Sequence, residues 1–130
     1  MSSASEEQAT SERDAGVGIR QVLQTSRSWN DVSYAHYPTG TPQLTVVRFS
    51  IPPYSSLPWH THAVPNAAYV IDGVLTVEDR ETGHTHVVRA SEAFGESVGS
   101  VHRGYTEALL TEVVTIYAGA DGIPLSTPVE

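Results

Sequence analysis

The spacing of chain breakers limits the fold more than any other feature of this sequence. Short runs rich in Val, Ile, Thr, Tyr and Phe recur about every 8 to 12 residues, separated by Pro, Gly, Asn and Asp. Strands are expected over residues 44–51, 67–71, 74–78, 85–89, 93–96, 101–106 and 109–117. No long segment repeats its apolar residues with the 3.6 period of a helix. Eight prolines spread along the chain also interrupt any long helix, because proline lacks the amide hydrogen that a helix needs. The pattern predicts an all-β domain, a sandwich or a barrel. Asp72-Gly73 lies between two of the runs and reads as a two-residue hairpin turn, which requires positive φ.

A chain of 130 residues suits one domain. Residues 1–18 carry almost no large apolar side chain and are expected to form a flexible arm, leaving residues 19–130 as the folded domain. A net charge of −8 argues against a nucleic-acid surface and against anionic membranes. With no cysteine, neither disulfides nor thiolate metal sites are available. No run approaches the length of a membrane helix, and the polar N-terminus lacks the apolar stretch of a secretory signal. A cytoplasmic location is the expectation.

Within WHTHAVPNAAYVIDG, His60 and His62 are two residues apart. In an extended chain they point to the same side, and Pro58 and Pro65 favour an extended path. His102 opens a later strand, so three imidazoles from separate strands can meet inside a barrel. Neutral imidazole nitrogen suits a divalent first-row metal. A surface pair of histidines is the alternative that the spacing alone leaves open.

Residues 54–73 resemble the first motif of the cupin superfamily, G-x5-H-x-H-x3,4-E-x6-G. His60, His62 and Gly73 match it, whereas Tyr54 replaces the first glycine and Asn66 stands at the glutamate position. Residues 91–106 resemble the second motif, G-x5-P-x-G-x2-H-x3-N, through Gly99 and His102, with Ser91, Ser97 and Thr106 at the other positions. The string H-x-H-x2-P-N-x2-Y-V-x2-G is similar to that of small single-domain bacterial cupins. The resemblance implies a jelly-roll β-barrel (a double-stranded β-helix) with one metal ion per chain in its mouth, whether Fe, Mn, Ni, Zn or Cu.

Asn66 is neutral and at best a weak ligand. Glu96 precedes His102 by six residues, and a five-residue turn over 97–101 would set the two opposite each other in a hairpin, with Glu96 inward. Glu96 is then a fourth ligand beside His60, His62 and His102, or a catalytic general base. The competing expectation is a solvated Glu96 at the barrel rim. His84 and His86 follow a Glu81-Thr82-Gly83 turn and are expected to be solvated, as is His36. Arg103 and Tyr105 should face outward, and Tyr69 away from Asn66. Phe49, Tyr54 and Trp59 are candidates for core packing or a pocket rim.

The function expected is that of a metalloenzyme acting on a small-molecule substrate, either an oxidoreductase of the dioxygenase type or a metal-assisted isomerase, decarboxylase or lyase. The alternatives are a non-catalytic module that binds a small molecule or metal, and a structural barrel whose metal site has decayed. Open sheet edges need cover, so a homodimer is expected.

Overall fold

The computed structural model describes residues 11–14 and 16–130, and these described residues form eleven strands. No helix occurs among the described residues, and hence none long and apolar enough to cross a membrane. Residues 1–10 and 15, which belong to the segment expected to be a flexible arm, lie outside the described residues. β1 (Ser11–Asp14) and β2 (Val17–Arg20) pair only with each other, apart from the two main sheets.

The first main sheet has four strands in the order β3 (Pro42–Ile51), β10 (Thr111–Ala120), β5 (Asn66–Asp72) and β8 (Ala93–Glu96). The second has five, in the order β11 (Thr127–Pro128), β4 (His60–Thr61), β9 (His102–Tyr105), β6 (Val74–Asp79) and β7 (Thr85–Arg89). Every pairing is antiparallel. Alternation along the strands fills the space between the sheets. β5 buries Asn66, Ala68 and Val70, and β10 buries Thr111, Val113, Thr115 and Tyr117. Ile51, Leu75, Val77, Val88 and Phe94 complete a core that closes the jelly roll.

The expected strands all exist, but their connections differ from simple hairpins. From β3 to β10 the chain changes sheet at each step, except at the β6–β7 hairpin. Asp72-Gly73 is therefore not a hairpin turn. β5 and β6 belong to different sheets, and Gly73 is the corner between them. The positive φ that the dipeptide signalled is present, at 88°. Its reason is close approach: a Cβ at Gly73 would collide with the Leu110 carbonyl oxygen. Thr111 fastens the same corner. Its hydroxyl donates to the Val74 carbonyl at 3.0 Å and accepts from the Val74 amide at 3.1 Å.

Strand β10 begins at Thr111 rather than at residue 109, because Leu109 and Leu110 belong to the exposed turn before it. Residues 25–34, part of the expected domain but assigned no strand from the sequence pattern, cover the barrel's open side. The Trp29 amide donates to the Gly95 carbonyl on edge strand β8 at 2.9 Å. Its indole packs on the core and lies 6.2 Å from the ring of His86 on the other edge, β7.

Candidate metal centre

β4 and β9 place three histidines on the inner face of the five-stranded sheet at one end of the barrel. His60 and His102 are direct cross-strand partners, and His62 follows two residues after His60. The ring centroids stand 4.6 to 5.0 Å apart. Glu96, at the end of β8 in the opposite sheet, reaches across to them. Its Oε1 is 3.0 Å from His102 Nε2 and 3.5 Å from His62 Nε2. One ligand atom from each of His60, His62, Glu96 and His102 falls within 4.8 Å of all the others. His62 and His102 are buried, and the Glu96 side chain is 12% exposed.

The inward expectation for Glu96 agrees with this geometry, but the hairpin argument behind it does not. β8 and β9 lie in opposite sheets, so Glu96 and His102 meet across the barrel interior rather than along a ladder. The residue directly beside Glu96 is Asn66, its cross-strand partner on β5. Directly opposed residues share a face. The carboxylate missing at position 66 is thus present one strand away. Asn66 itself donates from Nδ2 to the Val64 carbonyl at 3.1 Å, and its Oδ1 is buried without a partner.

The imidazole hydrogen bonds settle which nitrogens face the centre. Nδ1 of His60 contacts the Pro58 carbonyl at 2.7 Å, Nδ1 of His62 the Leu125 carbonyl at 2.8 Å, and Nδ1 of His102 the Ser100 carbonyl at 3.0 Å. A carbonyl only accepts, so each Nδ1 carries the hydrogen, and each neutral ring turns an Nε2 lone pair inward. Lone pairs and a carboxylate that converge without a cation repel one another. The buried Nε2 of His62 makes no hydrogen bond at all, its Glu96 contact being long. A cation at the centre, or protons shared with Glu96, resolves the repulsion. Three imidazoles and one carboxylate, with the far ring nitrogens tied to backbone, fit a divalent first-row metal.

The charged groups respond to this crowding. Burial disfavours ionisation of Glu96, but the contacts with His102 Nε2 and, at longer range, His62 Nε2, which are attractive once those rings take up a proton, overcome it and hold the carboxyl well below the usual range. Burial pushes the His62 imidazole down, and Glu96 more than offsets that, so the net direction is up. His60 is lowered, chiefly by burial, with His102 and His62 adding to it. The Tyr117 phenol is pushed up to about 12 by burial and by the nearby Glu96 charge.

Behind the cluster the barrel keeps a cavity of about 140 Å³, lined by His60, His62, Glu96 and Tyr117 at the polar end and by core side chains beyond. Residues 125–128 form one wall: β11 pairs with β4, and Ser126 and Pro128 line the cavity. Neither Tyr117 nor this strap was singled out from sequence. Tyr117 had a signal, the alternation with Val113 and Thr115, but the strap had none, because the two-residue strand β11 holds a proline. A larger groove of about 540 Å³ runs outside the barrel between residues 23–26, 34–37 and the outer face of β5 and β10. It touches none of the histidines of the cluster.

The other candidates divide cleanly. Arg103 faces outward, donating to Glu78 at 3.1 Å, and Tyr69 faces away from the buried Asn66 row. Phe49 lines the cavity as expected. Trp59 does not: its ring sits outside, with the Arg103 guanidinium 4.3 Å from its centroid. Tyr54 is neither core nor rim but 79% exposed, because the chain turns there with φ at 54°. His36, His84 and His86 are exposed and stand apart from the cluster, His86 stacking on Trp29 and His84 lying tilted against it.

No protein-family model and no curated protein sequence matches the chain. Solved structures do. The polyketide cyclase RemF from Streptomyces resistomycificus is similar at 22% identity and a TM-score of 0.57, over 67% of this chain and 61% of that one. An oxalate oxidase in complex with the substrate analogue glycolate matches at 21% identity and 0.57, over 66% and 46%. An RmlC-like cupin from Shewanella frigidimarina matches at 18% identity and 0.53, over 61% and 68%. The chain thus spans less than two thirds of the length of the first two. The likeness is one of fold, and the fold is the cupin-type jelly roll.

Proposed function

We propose that this protein is a metal-dependent cupin. One divalent transition-metal ion per chain is held by His60, His62, His102 and Glu96, and the site acts on a small molecule admitted to the cavity behind it. The observation that carries the reading is the convergence of three Nε2 lone pairs and one carboxylate, each imidazole fixed by a backbone carbonyl on its far side. A bound ion supplies Lewis acidity toward a carbonyl or enol oxygen, or, as iron, dioxygenase chemistry. The chain's own groups orient the reactant and keep water out: core side chains wall the cavity and residues 125–128 cover its side. Glu96 is the group placed to take or return a proton when it is not bound to the ion. Enzymes among the similar structures, a polyketide cyclase and an oxalate oxidase, support a catalytic role.

A second reading, a non-catalytic binding module, is favoured by one feature. If Glu96 is a permanent ligand, Tyr117 is the remaining titratable side chain in the cavity, and its raised phenol is a poor base. Metal analysis of untagged protein, followed by turnover of candidate substrates with Fe(II) or Mn(II), separates the readings. Bound metal with turnover is expected. Bound metal without turnover leaves the binding module, and protein that takes up no metal overturns the metal-dependent reading.

We also propose a homodimer, supported by Leu44, Val46 and Ile116, which are 78%, 65% and 48% exposed on the outer face of β3 and β10. Light scattering that shows a monomer at micromolar concentration removes that proposal.

A further inference from the structure

The cavity behind the histidine cluster has a size, a polarity and a charge, and together they restrict what can occupy it. Its volume is about 140 Å³. An apolar cavity of about 150 Å³ accommodates a benzene ring. The walls away from the cluster are mostly apolar, with Phe49, Ile51, Leu75, Val77 and Phe94, and the hydroxyls of Thr115 and Ser126 that also line the cavity carry no charge to balance a second ionised group. The chain has no lysine, and no arginine among the described residues lines the cavity. The acidic side chain that faces it is Glu96. With a divalent cation beside Glu96 and neutral imidazoles, the net charge of the centre is +1, which one ionised oxygen balances. A dianion would leave a negative charge uncompensated among apolar walls, where an unpaired charge is costly.

We propose that the site takes a single-ring-sized molecule with an uncharged body and one acidic hydroxyl, of the phenol or cyclic enol class, oriented with its ring in the apolar chamber and its oxygen toward His60, His62, His102 and Glu96. The proposal rests on the metal-centre reading for the oxygen end, while the chamber that holds the ring stands on its own residues. It excludes small dicarboxylates as substrates, and molecules with a second ring along the axis away from the hydroxyl.

Calorimetric titration of the full chain, both metal-free and loaded with Zn(II), tests this with three probes: phenol, 4-phenylphenol and oxalate. Phenol should bind both forms at one equivalent, more tightly with Zn(II) present. In the Zn(II) form, 4-phenylphenol and oxalate should bind at least about tenfold more weakly than phenol, a difference of about 1.4 kcal/mol. Ala68→Leu fills the chamber and should abolish phenol binding while Zn(II) affinity stays within about threefold. If that variant fails to fold, Val77→Ile fills less from the opposite sheet and should weaken phenol binding measurably. Zn(II) that fails to bind while phenol still binds sinks the metal reading and leaves the chamber standing. Phenol that binds neither form overturns the inference, as does oxalate or 4-phenylphenol binding the Zn(II) form as tightly as phenol, or phenol affinity that neither filling variant changes.

Discussion

Asn66→Glu places a second carboxylate beside Glu96, and the register allows its cost to be worked out. The two residues are cross-strand partners on one face, so their side chains start about 5 Å apart. Two negative charges at about 5 Å, in a partly buried setting with an effective dielectric near 20, repel by about 3 kcal/mol. Protonating one of them at neutral pH costs a similar amount, so the protein has no cheap escape. The metal-free variant should lose about 3 kcal/mol of stability, or about 12 °C in melting temperature for a domain of this size. Glu96→Gln in the same chain removes the repulsion, and Asn66→Glu/Glu96→Gln should recover all but about 1 kcal/mol. The double variant also transposes the carboxylate to the neighbouring strand and should bind Zn(II) more tightly than Glu96→Gln alone. Thermal unfolding followed by circular dichroism, with and without EDTA, measures each step. A metal-free Asn66→Glu protein within about 1 kcal/mol of the parent would refute the reasoning, as would a penalty that Glu96→Gln does not relieve, since either result means that the two positions do not share a site.

The sheet-changing corner makes its own predictions. Gly73→Ala meets the Leu110 carbonyl and a left-handed backbone and should cost about 3 kcal/mol, whereas Gly83→Ala, with φ at 75° but open space around it, should cost only about 1 kcal/mol. Thr111→Val keeps the shape but leaves the Val74 amide unpaired, for a loss of about 2 kcal/mol in urea unfolding. In the metal-free protein the stabilising contributions of Glu96 and His62 should both be present between about pH 4.5 and 6.5, with the lowered His60 opposing them below pH 6.5. Glu96 is depressed below 4.5, so its contribution is present above that pH and lost as pH falls through the folded value. His62 is raised above 6.5, so its contribution is full below that pH and lost as pH rises through the folded value. Melting temperature scanned against pH after EDTA treatment checks this; stability that climbs steadily above pH 7 contradicts it.

Strand positions were legible because alternation with period two and regular breakers are local signals. The facing of His60, His62 and Tyr69 followed from the same alternation. Which strands pair was not legible at Asp72-Gly73, because a glycine required by a close backbone approach and one required by a hairpin turn look identical in sequence. Glu96 was placed inward by a hairpin that does not exist, and its adjacency to Asn66 depends on the β5–β8 register, which no local pattern encodes. Trp59 and Tyr54 were weighed as buried aromatics, yet one covers arginines on the outside and the other caps an exposed turn. The covering segment over residues 25–34 and the strap over 125–128 lie far in sequence from what they touch and carry no periodic signal.

Titration of EDTA-stripped, untagged protein with Zn(II) in a calorimeter, alongside His60→Ala, His62→Ala, His102→Ala and Glu96→Gln, addresses the metal centre most directly. The parent should bind one equivalent. Each histidine variant should lose about 100-fold or more in affinity, about 2.7 kcal/mol, and Glu96→Gln at least about tenfold, with the barrel's circular dichroism unchanged. No binding by the parent, or binding that these four substitutions leave intact, would contradict a metal centre at this cluster.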